Sequence, residues 1–185
     1  MPNVKEVPTS STMNLPITIE PMTEKDLLAV SAIEVASFNP PWPLNSFRTD
    51  LQYNRLAFYR VAHFEDRLVG YIGAWLVLDE VHITTLAVDR EFRQKGIASA
   101  LIQILIDEAA ARGAHSMTLE VRPSNKAARA FYKKWGFTIR GRRKRYYPDE
   151  DALIMTCDKL SEYQSKTGGQ NAGHEQTEFE SNQDK

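Results

Sequence analysis

The segment that most constrains this chain is an apolar run that turns sharply into a helix. Val81-His82-Ile83-Thr84-Thr85-Leu86-Ala87-Val88 reads as a strand, and Arg93-Gln94-Lys95-Gly96-Ile97-Ala98 follows it. Beyond the turn, Ile97, Leu101, Ile104, Leu105 and Ala109 recur at helical spacing until Arg112-Gly113, a basic last turn and a glycine stop. A strand, a tight turn and a helix N-terminus make an anion site, because the first-turn N–H groups have no partner inside the helix and the dipole favours negative charge. Arg93 and Lys95 add positive charge beside those donors, which suits a diphosphate. An ordinary strand-to-helix corner explains the same residues equally well. There is no Gly-Lys-Ser/Thr pair and no GxGxxG, so a nucleotide P-loop and a dinucleotide fold are excluded.

At 185 residues the chain suits one domain with a sizeable core. A formal net charge of −1 argues against a general polyanion binder. The charge is uneven: from Ser161 onward Glu162, Glu175, Glu178, Glu180 and Asp184 face Lys166 and Lys185, a balance of −3 that leaves the rest at +2. Cys157 is the one cysteine, so there is no internal disulfide, and a reducing compartment fits. It lies in the apolar run 152–157, which points to burial in a strand. The longest low-polarity stretch, 68–78, is too short to cross a bilayer, and the N-terminus lacks the apolar core of a secretory signal. The expected location is the cytoplasm, with no membrane association.

Residues 1–16, with Pro2, Pro8 and Pro16 among serines and threonines, read as a flexible lead-in. Residues 161–185 are polar and acidic with few apolar side chains, and read as a disordered tail. Between them, 17–160 reads as the folded domain. Strands are expected at 17–20, 56–64, 68–78, 81–88, 116–121, 137–142 and 152–157. Helices are expected from Thr23, with Asp26 three residues on, to about Ser37, then at 44–51, after Gly96 and at 125–134. Such alternation predicts an α/β sheet with helices on both faces.

Two further segments narrow the reading. Leu119-Glu120-Val121-Arg122-Pro123-Ser124-Asn125 leads into Ala130-Phe131-Tyr132-Lys133-Lys134-Trp135-Gly136-Phe137. Arg142-Arg143-Lys144-Arg145-Tyr146-Tyr147-Pro148 then precedes Glu150-Asp151-Ala152-Leu153-Ile154-Met155. With the diphosphate turn after the fourth strand, this order resembles the GNAT acyl-CoA N-acetyltransferase superfamily. Within it the chain closely resembles the ribosomal-protein alanine N-acetyltransferase (RimI-like) branch, which carries LEVR-x-SN, LY-x-x-x-GF, a basic YYP stretch and a DA-I-M strand. Pro41-Trp42 and Val77-Leu78-Asp79-Glu80 also match, and Pro123 departs from a common alanine. The resemblance spans about residues 17–159. It implies a mixed, mostly antiparallel seven-stranded sheet, and acetyl-CoA used by direct transfer without a metal.

It also implies roles. Backbone groups of Leu86, Ala87 and Val88 would hold the pantetheine arm and acetyl carbonyl, with the Val88 amide as the candidate polarising donor. Arg93, Gln94, Lys95, Gly96, Ile97 and Ala98 would hold the diphosphate. Glu120 matches the branch's base, and an α-amino group titrating near 8 needs only a modest one. The plain alternative is a strand carboxylate paired with Arg122 or a lysine; Glu80 and His82 are rival bases, though a surface or satisfied histidine explains His82 equally. Tyr132 matches the phenol that protonates the departing thiolate, and also lies on a core stripe with Ala128, Phe131 and Trp135. Asn125 matches a CoA contact and equally a helix N-cap. Trp42, Phe47, Tyr146 and Tyr147 are candidates for the peptide groove, with core packing the alternative for Phe47. The basic run 140–145 reads as a solvated hairpin flank, or as a docking patch for an rRNA-coated or acidic ribosomal surface or for the CoA 3′-phosphate. The implied partner is a protein N-terminus, an alanine of a small-subunit ribosomal protein, with nucleic acid contact only incidental. Enzymes of the same fold acting on other amines, and an acyl-CoA-binding regulatory domain, are the competing classes.

Overall fold

The computed structural model describes residues 15–164. After β1 (Ile17–Pro21) come α1 (Leu27–Ser37) and α2 (Leu44–Tyr53). Strands β2 (Ala57–Phe64), β3 (Arg67–Val77) and β4 (Glu80–Val88) follow as an antiparallel meander. Then come α3 (Ile97–Ala111), β5 (Ser116–Val121), α4 (Lys126–Lys134), β6 (Thr138–Arg143) and β7 (Ala152–Cys157). The strands form one seven-stranded sheet in the order β1-β2-β3-β4-β5-β7-β6. Only β4 and β5 pair in parallel, as the helical crossover between them requires. The expected elements are all present. Thr23 N–H donates to the Asp26 carboxylate at 2.7 Å, as the capping pattern implied, although that first turn is 3-10 and the α-helix begins at Leu27.

Each face of the sheet buries its own apolar cluster. Leu101, Ile102, Leu105 and Ile106 of α3 pack with Val81, Ile83, Met117, Leu119 and Met155 on one side. Val30 and Ile33 of α1 and Phe47 of α2 pack with Tyr59, Tyr71 and Ala87 on the other. Fully buried aliphatic side chains of this size contribute about 1.5–3 kcal/mol each, so these two clusters dominate the hold of the helices on the sheet. The packed body runs past the boundary expected at residue 160. Tyr163 is buried, its ring lies 6.3 Å from that of Trp135, and its carbonyl accepts from Gln103 Nε2 at 2.8 Å. The rest of the tail, and most of the lead-in, lie outside the described residues.

Two irregularities of β4 position the site. Gly73 faces Thr85 and Ala74 faces Ile83, so Thr84 is an extra residue, a bulge. The bulge inverts the strand's alternation. Ile83 belongs to the α3-side core while Thr85 and Ala87 reach the α1 side, and Leu86 and Val88 return to the α3 side. A strict period of two would have placed Leu86 on the face of His82; it does not lie there. The second irregularity is a fork: the β4–β5 ladder covers only Glu80–Ile83 against Ser116–Leu119, and the strands part beyond it.

Candidate active site

A cavity of about 430 Å³ opens at the fork. Its walls come from β3 and β4 (Trp75, His82, Thr84, Thr85, Leu86), from β5, α4 and the turn between them (Glu120, Arg122, Asn125, Tyr132), and from the flanking loops (Trp42, Tyr146, Tyr147). The lining draws on both sides of the sheet, so two reactants can approach from opposite faces.

Backbone parity decides which groups of β4 face the fork. Asp89 N–H donates to the Val69 carbonyl at 2.8 Å. Odd-numbered residues of this half-strand therefore bond to β3, and Leu86 and Val88 turn their N–H and C=O toward the side that β5 has left. The Val88 carbonyl accepts from Arg93 Nε at 3.0 Å. Leu86 lines the cavity and Val88 does not.

The turn before α3 is built for close approach. Gln94 and Gly96 have positive φ, and a Cβ at Gly96 would meet nothing within 4 Å. No side chain caps the first turn of α3, so its N–H groups stay available. Arg93, expected beside the phosphates, ties Val88 to α1, its Nη2 reaching Ser37 Oγ at 3.3 Å. Lys95 Nζ lies 4.8 Å from the Phe92 ring centre. Gly96→Ala is expected to destabilise the chain by about 1–2 kcal/mol, because an L side chain resists that φ even in open space. A calorimetric scan should show Tm falling by about 2–8 °C.

Glu120 projects from β5 where the fork begins. Its Oε2 lies 2.6 Å from His82 Nε2, and its Oε1 accepts from Arg143 Nη1 at 3.1 Å. The hydrogen bond with His82, helped by Arg143, holds the carboxyl below its ordinary range against the opposing effect of burial. Its partners are therefore not Arg122 or a lysine. Arg122 turns the other way, to Asp149 at 2.6 Å, Glu150 at 3.0 Å and the Asn39 carbonyl at 2.8 Å, joining the two loops that flank the cavity. His82 is a satisfied histidine, brought to Glu120 by strand register. The parallel register sets it against Thr118, two residues before Glu120 and on the same face. Glu80 is exposed and lies off the cavity.

Tyr132 both packs in the core and lines the cavity, and burial raises its pKa. Asn125 Oδ1 accepts from Ala128 N–H at 3.0 Å as an N-cap, and the residue also lines the cavity. Phe47 is fully buried among Trp42, Tyr59 and Tyr71, so it backs Trp42 and offers a substrate no surface. The basic run is not a plain solvated flank: Arg140 pairs with Asp158, Arg142 with Asp151 at 3.4 Å, and Arg143 with Glu120. Glu34 escaped the sequence reading altogether. It is buried, accepts from Trp42 N–H at 2.9 Å and from the Tyr71 hydroxyl, and closes the deep end of the cavity. Nothing local marks a glutamate on an amphipathic helix as buried.

The Acetyltransferase (GNAT) family pattern matches residues 27–137 of the chain. The chain belongs to this family. A Salmonella typhimurium protein named ribosomal protein bS18-alanine N-acetyltransferase is 36% identical over 142 residues, covering 75% of this chain and 95% of its own. The crystal structure of the ribosomal-protein-S18-alanine N-acetyltransferase from Escherichia coli superposes with a TM-score of 0.70 at 30% identity, covering 88% of this chain and 99% of that one. Ard1 from Thermoplasma volcanium gives a TM-score of 0.70 at 29% identity over 76% of this chain and 95% of its own. The sheet, fork and turn described above are therefore those of a GNAT N-acetyltransferase. Among the described residues, no helix is long and apolar enough to cross a membrane.

Proposed function

We propose that this N-acetyltransferase uses acetyl-CoA to acetylate the α-amine of the N-terminal alanine of ribosomal protein bS18, in the cytoplasm. The observation that carries the reading is an ionised carboxylate, Glu120, held by His82 and Arg143 at the mouth of the fork. The names of the Salmonella and Escherichia coli relatives supply the acceptor.

The residues fit acetyl-CoA. The uncapped start of α3 and the open space around Gly96 suit a diphosphate. Acetyl-CoA supplies a thioester carbonyl already activated for attack. Leu86 N–H, free of a strand partner at the cavity wall, is the donor placed to polarise it, with Val88 and Ala87 further along the arm. Asn125 and Ala128 face the same channel. The amine reacts in its neutral form, and Glu120 takes the proton that its nitrogen sheds as it bonds the acetyl carbon; Trp42, Tyr146 and Tyr147 line the approach of the peptide. Tyr132 keeps its proton at neutral pH because burial raises its pKa. It therefore acts chiefly as a hydrogen-bond donor to the departing sulfur, since full transfer to a thiolate whose parent titrates near 8.5 would be uphill.

The Glu120 carboxyl is depressed, so it stays ionised across the neutral range and loses its charge only in acid. The acid limb of kcat/KM should instead follow the acceptor's α-amine, near 8. Profiles for two peptides whose amines titrate differently should separate by that difference; coincident profiles would assign the limb to the enzyme.

The reading is tested by mass spectrometry on peptides beginning Ala, Ser or Met, beside one with a blocked α-amine and an internal lysine. Acetylation confined to the lysine would sink the N-terminal assignment.

A further inference from the structure

We propose that Trp75, fixed in place by Asp50, is the wall that limits the size of the acceptor's first side chain. The proposal rests on the N-terminal reading of the site. Trp75 lies just past the bulge and faces His82 across the β3–β4 ladder. The two rings meet edge to face at 6.3 Å, and His82 in turn bonds Glu120 at 2.6 Å. The indole thus stands about one side chain away from the place where the amine gives up its proton. On its other flank it meets Trp42, with ring centres 6.4 Å apart, and Glu34 and Thr85 close the depth beyond.

This wall is braced from behind. Trp75 Nε1 donates to Asp50 Oδ2 at 2.7 Å, and the Tyr59 hydroxyl donates to the same oxygen at 2.7 Å. Asp50 Oδ1 accepts from Asn54 Nδ2 at 3.2 Å, so the carboxylate of α2 is held at both oxygens. Tyr59 itself lies across Gly73, where a Cβ would fall 2.1 Å from its ring. An indole with its N–H anchored in this way cannot swing aside for a larger guest. A methyl or hydroxymethyl side chain fits in front of it, and a leucine or methionine side chain collides.

The experiment uses the full chain, acetyl-CoA and peptides identical except for a first residue of Ala, Ser, Leu or Met. The readout is the ratio of kcat/KM for Leu against Ala. Trp75→Ala should raise that ratio at least about tenfold, the scale on which apolar pockets discriminate by size. Asp50→Leu, which strands the indole N–H, should raise it in the same direction. Asp50→Asn should keep the wild-type ratio, because its carbonyl oxygen can take the place of Oδ2. A role in folding alone would lower all four rates together and leave the ratio unmoved. A folded Trp75→Ala protein with the wild-type ratio overturns the proposal, and that variant decides the matter should Asp50→Leu not fold. If the wild-type enzyme acetylates none of these α-amines, it is the N-terminal reading that fails.

Discussion

Replacing Glu120 with Gln is expected to lower turnover by about 10²–10⁴-fold while leaving the KM for acetyl-CoA nearly unchanged. The substitution keeps the shape and an acceptor oxygen for Arg143, but removes the charge that draws the acceptor's proton. Acetyl-CoA would meet the fork through β4 beyond the bulge, the α3 turn and α4, whereas Glu120 touches β4 only at His82, before the bulge. Steady-state rates at saturating peptide, with acetyl-CoA varied, separate the two effects. Wild-type rates across pH would transfer the base to His82. Measuring His82→Gln beside it shows whether the pair acts as a unit, since residues that do so lose activity non-additively.

Tyr132→Phe should lower turnover by about 10²-fold with little change in stability. The ring carries the packing, meeting Phe131 at 5.3 Å and Phe137 at 5.4 Å, and phenylalanine retains it. The hydroxyl makes no hydrogen bond to the protein among the described residues, so its loss strands no buried partner. On the proposed mechanism, what disappears is the donor to the leaving sulfur. The discriminating measurement pairs a thermal melt with single-turnover acetyl transfer. A melt lowered by several degrees with a preserved rate would make Tyr132 a core residue only.

The elements were legible because each is local. Periodicity marked the strands, Gly96 and Gly113 bounded α3, and Asn125 started α4. What depends on register was not legible. His82 and Glu120 are 38 positions apart and meet only because two parallel strands align before they fork. The bulge at Thr84 defeats face assignment by counting: a period of two puts Leu86 on the side of His82, and it packs on the other. Glu34, Asp50 and Phe47 illustrate the same limit from the helices. Each sits on a short amphipathic segment, and only the sheet beneath decides whether a polar or aromatic side chain points at a cavity, a tryptophan or the core.

The bulge carries a consequence for how this strand can change over evolutionary time. In effect β4 is two half-strands of opposite phase joined at one residue, the first presenting a side chain to the chemistry and the second presenting backbone. Point substitutions leave that phase untouched, so both halves can drift in identity. Loss or gain of a single residue at the joint cannot be absorbed in the same way. Loss would restore a uniform strand, better paired with β3, and rotate either His82 or the Leu86 amide out of the fork, whereas gain would add a second unpaired residue at the joint. Variation in this family should therefore be tolerant of letters at the joint and intolerant of length.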